Sequence, residues 1–550
     1  MKNYPLYKVD YYDRFCDLVD DLGERYGDAP AVYWYTRKQE EKGVTYRKMS
    51  EDVKNLQEKL VDMGLAGKHI AIVGENSYEW ILVCLAVNYC GSVAVFIDTE
   101  QSDETIVQML DTADTDVIFC SAPYEKICRQ YTGNDKPIFF LNGGKGKITE
   151  VADLIEEGAK IRACGGADES KRKEVSGDDV GVIVFTSGTT SLSKAVMHSQ
   201  SAILTNASDT KALIKNGPIV FTSLPFYHTY GWTCSVLDSL IVGAKTYING
   251  NLRTVFRDMQ LSKADSLYTV PLMLEMIRNK FWLEAEQSGK AEAYRKQFAR
   301  TKFLLSMGIK KRSKKMDEIR EKCLNNVKLI LCGGAKPGVE IMEEFSMMGV
   351  TVLQGYGITE CAPLVSANRN NAHRDDAAGL VAPHAEVKIE DGEILVRGIN
   401  VMKGYYKEPE LTEQVMKDGW FCTGDLGEID KDGFLYITGR KKNLIVFKSG
   451  KKVSPEKLEE MIKKIPLVQD VMVYGAESGA SADDVQVAAS IYPKQDKIEG
   501  MTNYEILEAL QHEIDAINDQ LPMYQQIRLI NIREQEFSKT ALKKIKRHLA

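Results

Sequence analysis

A buried strand and a hydroxyl-rich loop follow one another in Val180-Gly-Val-Ile-Val-Phe-Thr-Ser-Gly-Thr-Thr-Ser-Leu-Ser-Lys194. The apolar start predicts the strand, and the loop carries hydroxyl side chains around Gly188 before it ends in a lysine. The N–H and hydroxyl groups of such a loop donate hydrogen bonds to phosphate, and the lysine supplies the opposite charge. The loop lacks the spacing of a Walker P-loop. It therefore indicates a phosphate site of another kind, with a polar surface loop as the alternative interpretation.

Strands and helices alternate in the first half of the chain. The pattern predicts strands at His69–Val73, Ser92–Ile97 and Asp116–Cys120, with helices at Trp80–Cys90 and Asp103–Thr112 between them. This order is typical of a parallel sheet with right-handed crossovers.

Two further predicted strands, Pro218–Ser223 and Val327–Cys332, each run into a loop. Ligands of parallel sheets bind where loops leave the carboxyl ends of strands. Together with the loop after Val184, these loops favour a ligand-binding function.

From about Gly379 the sequence no longer alternates between predicted strands and helices. Alternating apolar residues around the turn Asp391-Gly392 predict a hairpin, and residues 430–437 show a similar pattern. Pro455–Lys464 is predicted to be a helix, and Val471–Tyr474 and Val485–Tyr492 are predicted to be strands. We therefore expect an α/β protein with two domains. The first, at 1–439, contains parallel α/β subdomains and a small β-barrel-like module at about 379–439; the second, at 440–550, is a small mobile α+β domain with a hinge at 440–442.

Composition narrows the class of protein. A chain of 550 residues is too long for one core, and a net charge of −7 disfavours nucleic-acid binding. The eleven cysteines form no C-x-x-C pair and are expected to be core residues in a reducing compartment. The N-terminus has no apolar signal-like region, and the run Ile81–Ile97 is too short and polar to span a bilayer. We expect a cytoplasmic protein, with contact at the inner face of the membrane left open.

Motifs at seven places resemble, in the same order, those of the adenylate-forming (AMP-binding) superfamily of acyl-CoA synthetases, adenylation domains and firefly-type luciferases. The resemblance covers nearly the whole chain. The motifs are Phe185–Lys194 (phosphate loop), Leu224–Gly231 (gating loop), Gly333–Ala335 and Gln354–Glu360 (adenine and Mg-ATP motifs), Gly419–Asp425 (ribose motif), Gly439–Lys442 (hinge) and Lys539–Arg547 (catalytic lysine segment).

The resemblance implies a reaction in two steps. A carboxylate attacks the α-phosphate of ATP to give acyl-AMP and pyrophosphate, and a thiol then takes the acyl group. Because the reactants of the first step are both anions, cations and N–H donors must offset their repulsion.

The resemblance also implies roles for individual residues. Glu360 would hold Mg²⁺ and Thr359 would bind the α-phosphate, whereas a plain helix start is the alternative. Asp425 would accept hydrogen bonds from the ribose hydroxyls, with a simple turn as the alternative. The other implied ATP-binding residues are Thr186, Ser187, Gly188, Thr189, Thr190 and Lys194 for the phosphates, Gly333, Gly334, Ala335, Gln354, Tyr356 and Gly357 around the adenine, and Arg440 for the ribose or phosphate.

His228 would lie at the mouth of the acyl pocket beside the reacting carboxylate, and a core histidine is the alternative. Lys544 would bridge the carboxylate and the α-phosphate, with Lys543 as a second choice and a solvated basic tail as the alternative. Lys442 would be the hinge for a rotation of the C-terminal domain, after which Lys448, Ser449 and Gly450 would line the thiol tunnel.

The phosphate loop departs from the family pattern. It carries Ser191, Ser193 and Ala195 where the family usually has Gly, Pro and Gly, and the loss of glycines predicts a stiffer loop. An inactive family member is therefore a minor alternative.

The tail Lys539–Arg547 and the stretch Leu331–Pro337 look most like those of bacterial long-chain fatty acid–CoA ligases. The expected enzyme is an acid–thiol ligase of fatty acid metabolism that uses ATP, Mg²⁺ and CoA on a medium- or long-chain acid. The alternatives are an enzyme that loads the phosphopantetheine of an acyl carrier protein, a luciferase-like oxidoreductase and an inactive scaffold. The basic run Lys310–Lys315 could meet anionic lipid headgroups or be a solvated helix face. The sequence does not indicate the oligomeric state.

Overall fold

The chain forms two compact units, each with a core of its own. The computed structural model describes residues 4–133, 135–144, 148–186, 193–309, 313–447, 451–477, 485–539, 545 and 547. The first unit comprises Met1–Glu386, Val396–Phe421 and Asp432–Phe434, and the second comprises Val387–Leu395, Cys422–Lys431 and Leu435–Ala550. The predicted division between residues 439 and 440 stays a prediction, because the two units interleave along the chain.

Strands of the described residues are numbered in chain order. They are β1 (Pro30–Tyr35), β2 (Glu41–Thr45), β3 (His69–Val73), β4 (Val93–Phe96), β5 (Val117–Cys120), β6 (Ile138–Phe140), β7 (Val180–Phe185), β8 (Ala195–Ser199), β9 (Ile219–Thr222), β10 (Lys245–Ile248), β11 (Ser266–Thr269), β12 (Leu329–Cys332), β13 (Thr351–Gly357), β14 (Leu364–Ala367), β15 (Gly379–Val381), β16 (Ala385–Glu390), β17 (Glu393–Gly398), β18 (Gly404–Tyr405), β19 (Met416–Lys417), β20 (Trp420–Ile429), β21 (Phe434–Arg440), β22 (Ile445–Val446), β23 (Lys452–Val453), β24 (Val468–Glu477), β25 (Val485–Pro493) and β26 (Ile527–Ile532).

Helices of the same residues are numbered likewise. They are α1 (Phe15–Tyr26), α2 (Tyr46–Asp62), α3 (Tyr78–Tyr89), α4 (Asp103–Thr112), α5 (Glu125–Thr132), α6 (Val151–Ala163), α7 (Gln200–Leu213), α8 (Thr229–Gly231), α9 (Asp238–Ile241), α10 (Val255–Ser262), α11 (Pro271–Gln287), α12 (Ala291–Ser306), α13 (Lys314–Leu324), α14 (Val339–Met347), α15 (Pro409–Val415), α16 (Pro455–Ile462), α17 (Gln495–Ile498) and α18 (Asn503–Asn518).

One sheet of the first unit has the strand order β18-β8-β7-β4-β3-β5-β6. Strands β7, β4, β3, β5 and β6 are parallel, whereas β8 and β18 are antiparallel additions at one edge. The predicted parallel β-α-β-α-β segment is therefore confirmed. Its strands are nearly continuous apolar runs because they are buried on both faces.

A second run of strands in the first unit has the order β15-β14-β13-β12-β11-β9-β10-β1-β2. Its strands from β13 to β1 are parallel. The loops after β9, β12 and β13 leave this sheet at one edge, as parallel strands require. His228, Gly333 and Thr359 lie on these three loops, so the sheet brings three predicted motifs together.

Aromatic side chains fix the loop that carries His228. Phe226 and Trp232 flank this loop and are both fully buried. The Trp80 ring on α3 lies 5.5 Å from the Phe226 ring and 5.3 Å from the Trp232 ring, measured between centroids. Large aromatic side chains contribute much of the burial energy of a core. The residues on both sides of the His228 loop are therefore packed into the core.

The second unit contains the antiparallel pair β24–β25, with β26 added parallel to β25. Its core combines this sheet with α16 and α18, through side chains that include Leu458, Val473 and Leu510. The predicted helix from Pro455 and both predicted strands are present, and the strands begin or end a few residues beyond the predicted limits.

The largest difference from the predicted elements follows His228. Residues Trp232–Leu237 form a π-helical segment between α8 and α9. Such segments are rare and occur mostly at functional sites. A smaller difference is that α3 begins at Tyr78, because the Ser77 hydroxyl accepts a hydrogen bond from the Trp80 N–H at 3.1 Å. None of the described helices is long and apolar enough to cross a bilayer.

Candidate active site

The phosphate loop is closed at its base. The Thr186 N–H donates to the Lys194 carbonyl at 3.0 Å, and β8 begins with the next residue, Ala195. The Lys194 Nζ lies over the Tyr405 ring, 4.7 Å from its centroid. Ala195 is buried in an apolar cluster, so its methyl group is used in packing. Residues 187–192 lie outside the described residues. The phosphate contacts predicted for Ser187, Gly188, Thr189 and Thr190 and the stiffening predicted from Ser191 therefore stay predictions.

Thr359 and Glu360 form a 3₁₀ turn, Thr359–Cys361, just after β13. The Met402 N–H donates to the Glu360 carbonyl at 2.9 Å, and the Tyr405 hydroxyl donates to Glu360 Oε1 at 2.9 Å. His198 Nε2 donates to the Thr359 carbonyl at 2.7 Å. The turn and its carboxylate are thus held by three neighbours that sequence reasoning did not identify.

His198 is neutral in this position. It is fully buried on β8, and burial lowers its pKa to about 4. Because the carbonyl of Thr359 can only accept, Nε2 must carry the proton. The histidine therefore acts as a fixed, uncharged donor to the turn.

The segment after the turn is fixed by Asn206 on α7. Its Nδ2 donates to the Leu364 carbonyl at 2.9 Å, and its Oδ1 accepts from the Leu364 N–H at 3.0 Å. Gly357 comes so close to Pro363 that an added Cβ would lie 2.4 Å from the Pro363 carbonyl oxygen. Only glycine fits at this position of the Gly-Tyr-Gly motif.

Glu360 fits the expected role of a magnesium ligand. Among the described residues, no group of three or more His, Cys, Asp or Glu side chains could hold a metal ion. Mg²⁺ usually takes one or two carboxylates and completes its octahedron with water and phosphate oxygens. The Glu360 carboxylate, which is oriented by the Tyr405 hydroxyl, is compatible with such a site.

The loop after β12 approaches its neighbours closely. An added Cβ at Gly333 would lie 2.8 Å from the Tyr230 ring, and Gly334 has a φ of +81°. The close ring at Gly333 and the left-handed backbone at Gly334 both favour glycine. The Tyr230 hydroxyl donates to the Leu331 carbonyl at 3.0 Å and fixes the ring against this loop. Ala335 is exposed.

Gln354 and Tyr356 lie on β13. The Gln354 Nε2 donates to the carbonyls of Asp375 at 2.9 Å and Ala377 at 2.5 Å, so its amide donors are engaged by that loop. Tyr356 pairs with Ser366 of β14 and is half-buried. Its place beside the adenine stays a prediction.

His228 lies within electrostatic range of a carboxylate, Asp98, that sequence reasoning missed. Burial lowers the pKa of His228, and the nearby Asp98 carboxylate opposes this shift. His228 Nε2 is buried and has no hydrogen-bond partner among the described residues. A buried polar atom without a partner is unusual, and a bound ligand can supply the missing one. Asp98 lies two residues after β4 and directly after the predicted strand Ser92–Ile97, and this position after a strand is the signal that could have identified it.

Asp425 and Arg440 face each other in the second unit. They are partners across β20 and β21, and Arg440 Nε lies 2.6 Å from Asp425 Oδ1. Nearby, Glu393 accepts hydrogen bonds from the Gly424 N–H at 3.0 Å and from the Lys441 Nζ at 2.6 Å. The buried Asp425 carboxylate therefore lies beside a cation that can share a bound diol or phosphate.

Lys442 lies in a 3₁₀ turn at Lys441–Asn443, where a hinge is predicted. The other residues predicted for the second step and for catalysis lie outside the described residues. They are Lys448, Ser449, Gly450, Lys543 and Lys544.

Comparison with known proteins gives a family for both parts of the chain. A model described as AMP-binding enzyme matches residues 19–406, and one described as AMP-binding enzyme C-terminal domain matches residues 442–550. These matches confirm the predicted family resemblance.

Two relatives are named long-chain-fatty-acid–CoA ligase. One, from Mycobacterium bovis, is 27% identical over 442 residues, which cover 76% of this chain and 72% of the relative. The other, from Salmonella typhimurium, is 24% identical over 530 residues, which cover 87% of this chain and 86% of the relative. The resemblance to bacterial long-chain ligases is thus also confirmed.

The fold matches a solved structure of an anthranilate CoA ligase in complex with anthranoyl-AMP. The TM-score is 0.77 at 18% identity, and the match covers 100% of this chain and 98% of that chain. This likeness confirms the predicted α/β fold class, with a large N-terminal domain and a small C-terminal one.

Proposed function

Since this chain belongs to the AMP-binding enzyme family, we propose that it joins a medium- or long-chain fatty acid to CoA through an acyl-adenylate. The observation that carries the proposal is the Glu360 carboxylate, which is held by Tyr405 at the edge where the loops of the sheet converge. The names of the relatives from Mycobacterium bovis and Salmonella typhimurium support the choice of acid and acceptor.

In the first step a carboxylate oxygen bonds to the α-phosphorus of ATP, and the bond to pyrophosphate breaks. Mg²⁺, when bound to Glu360, would offset charge on the phosphates. Lys194 supplies a second positive charge, and Thr359 lies beside Glu360 to bind the α-phosphate. Because burial lowers its pKa, His228 is neutral at physiological pH. It can therefore lie beside the carboxylate of the acid without adding a positive charge that would attract the phosphates.

In the second step the sulfur of a thiol bonds to the acyl carbon, AMP leaves and the thiol proton is released. We assign this step to CoA, with Lys442 as the hinge and Lys448, Ser449 and Gly450 beside the thiol. A pantetheinylated acyl carrier protein has the same reactive thiol and is the competing acceptor.

Pyrophosphate release tests the first step. Acids of eight to eighteen carbons, anthranilate and benzoate would each be mixed with ATP, Mg²⁺ and the enzyme. We expect release with the fatty acids and little with the aromatic acids. Release with anthranilate alone would contradict the choice of acid, and no release with any acid would favour an inactive scaffold.

Acyl transfer to CoA and to a pantetheinylated carrier protein tests the second step. We expect CoA to be the better acceptor. If the carrier protein is the better acceptor, the proposed acceptor CoA is wrong, and the proposal for the first step is unaffected.

We also propose that the end of α12 touches an anionic lipid surface, where long-chain acids reside. Phe303, Met307 and Ile309 are 62%, 52% and 44% exposed, and the sequence then continues into the basic run Lys310–Lys315. Exposed apolar side chains next to basic residues are suited to the headgroup boundary of a membrane.

Sedimentation with vesicles tests this contact. The double variant Phe303→Ser with Ile309→Ser should reduce the fraction bound to phosphatidylglycerol vesicles roughly fivefold or more, since each buried methylene contributes to binding. Leu252→Ser is the matched control because Leu252 is also 62% exposed but lies elsewhere. Equal sedimentation of the double variant and the control would refute the contact.

A further inference from the structure

A short segment, Met402–Tyr406, connects the phosphate loop to the turn that carries Glu360. The Met402 N–H donates to the Glu360 carbonyl at 2.9 Å, and the Tyr406 N–H donates to the Ala195 carbonyl at 2.8 Å. Between these bonds, β18 pairs with β8, the strand that starts immediately after Lys194. The segment therefore fixes the distance between two motifs that are far apart in sequence.

Tyr405 extends this connection to the two functional side chains. Its hydroxyl donates to Glu360 Oε1 at 2.9 Å, and the Lys194 Nζ lies 4.7 Å from the centroid of its ring. A carboxylate attracts the hydroxyl proton, and an ammonium is attracted to the face of the ring. One side chain thus contacts both charged groups.

Tyr405 is itself held in place. It is buried, and its N–H donates to Thr412 Oγ1 at 2.9 Å. Gly404 has a φ of +136°, and an added Cβ there would lie 3.0 Å from Thr412.

We propose that Tyr405 is a positioning residue for adenylation: its hydroxyl orients Glu360 toward the divalent cation, and its ring places the Lys194 ammonium against the same phosphates. This proposal rests on the proposed function, since it assumes that ATP binds at this site. Partners of metal ligands in this role typically govern metal affinity.

Binding of Mn²⁺, a paramagnetic substitute for Mg²⁺, tests the hydroxyl. In the presence of ATP, Tyr405→Phe should weaken Mn²⁺ binding by about tenfold, as loss of a partner of a metal ligand does. Binding of ATP in EDTA should not change, because the ring remains under Lys194. Tyr406→Phe is the matched control, since the Tyr406 hydroxyl donates to Asp114 at an exposed position. Equal Mn²⁺ binding by both variants would overturn the proposal.

Two further variants separate orientation from general stability. Tyr405→Leu removes the ring as well, so ATP binding in EDTA should weaken by roughly threefold. In a Glu360→Ala background, Tyr405→Phe should have no further effect on Mn²⁺ binding, because the group that it orients is gone. A persistent tenfold effect there, or loss of ATP binding in EDTA with a lowered Tm for Tyr405→Phe, would assign the hydroxyl a different role and refute the proposal.

The binding and pyrophosphate measurements together distinguish a failure of this proposal from a failure of the proposed function. If Mn²⁺ and ATP bind as expected but no acid releases pyrophosphate, fatty acid activation is wrong and the role of Tyr405 in binding stands. If pyrophosphate is released and the Tyr405 variants bind Mn²⁺ normally, only the role of Tyr405 is wrong.

Discussion

Glu360 and Asp425 are two carboxylates with different surroundings. Glu360 is met by a tyrosine hydroxyl, its turn is held by the neutral His198, and no described lysine, arginine or histidine forms an ion pair with it. Asp425 lies 2.6 Å from the Arg440 guanidinium. A carboxylate that accepts a hydrogen bond from a neutral hydroxyl is suited to a cation, whereas one beside an arginine is suited to neutral hydroxyl groups. The surroundings thus favour a metal at Glu360 and a sugar at Asp425.

Removal of the charge at Glu360 should have the largest effect. Glu360→Gln keeps the size of the side chain but loses the negative charge for the metal, so the rate of pyrophosphate formation should fall by about 10³-fold. Stopped assays at saturating ATP measure this rate. Glu340→Gln, on the exposed face of α14, is the matched control. A decrease of less than tenfold would remove Glu360 from the metal site.

Low pH should reduce the free energy of unfolding through His198, the residue that holds the turn of Glu360. Burial lowers the pKa of His198 from 6.5 to about 4, so between these pH values the unfolded chain binds a proton that the folded chain does not. This contribution to the free energy of unfolding is fully present above pH 6.5 and declines as the pH falls, by about 3 kcal/mol in total.

His198→Gln tests this pH dependence, because glutamine keeps an amide donor and does not titrate. Urea unfolding between pH 7 and pH 4 should show a flatter decline for this variant than for the wild type. The exposed His373→Gln should leave the decline unchanged. Parallel pH curves for wild type and His198→Gln would show that the pKa of His198 is not lowered in the folded protein.

The contrast between these two sites also shows what the sequence can predict. Glu360, Thr359 and Asp425 stand in contiguous motifs that resemble those of the family, so they were predicted as site residues. The strands next to them, β13 and β20, were not predicted. Tyr405 is 45 residues from Glu360, and His198 is 161 residues from the Thr359 carbonyl that it binds. Neither residue belongs to one of the seven sequence motifs that resemble those of the family. Their partners are set by strand order and by the pairing of β18 with β8, which a single sequence does not specify.

Asp425→Asn should affect binding more than chemistry. Asparagine offers one acceptor oxygen and loses the charge that orients Arg440, so the KM for ATP should rise about tenfold. The kcat at saturating ATP should change little, in contrast to Glu360→Gln. Steady-state kinetics with varied ATP distinguish the two. Asp391→Asn, in the turn between β16 and β17, is a suitable control because asparagine tolerates the left-handed backbone there. A fall in kcat without a change in KM would contradict a role in ribose binding.

The smallest effect is expected from removal of the Lys441 charge, because Lys441 forms an exposed ion pair. Its Nζ lies 2.6 Å from Glu393, but its side chain is 63% exposed. An exposed ion pair contributes little, because water and salt screen both charges. Lys441→Met should therefore lower the free energy of unfolding by less than about 1 kcal/mol, and 0.5 M NaCl should abolish the difference. Urea unfolding at two salt concentrations measures it. A larger loss that persists in salt would mean that Glu393 needs Lys441 to hold the Gly424 N–H, and hence that the ribose motif depends on a residue next to the predicted hinge.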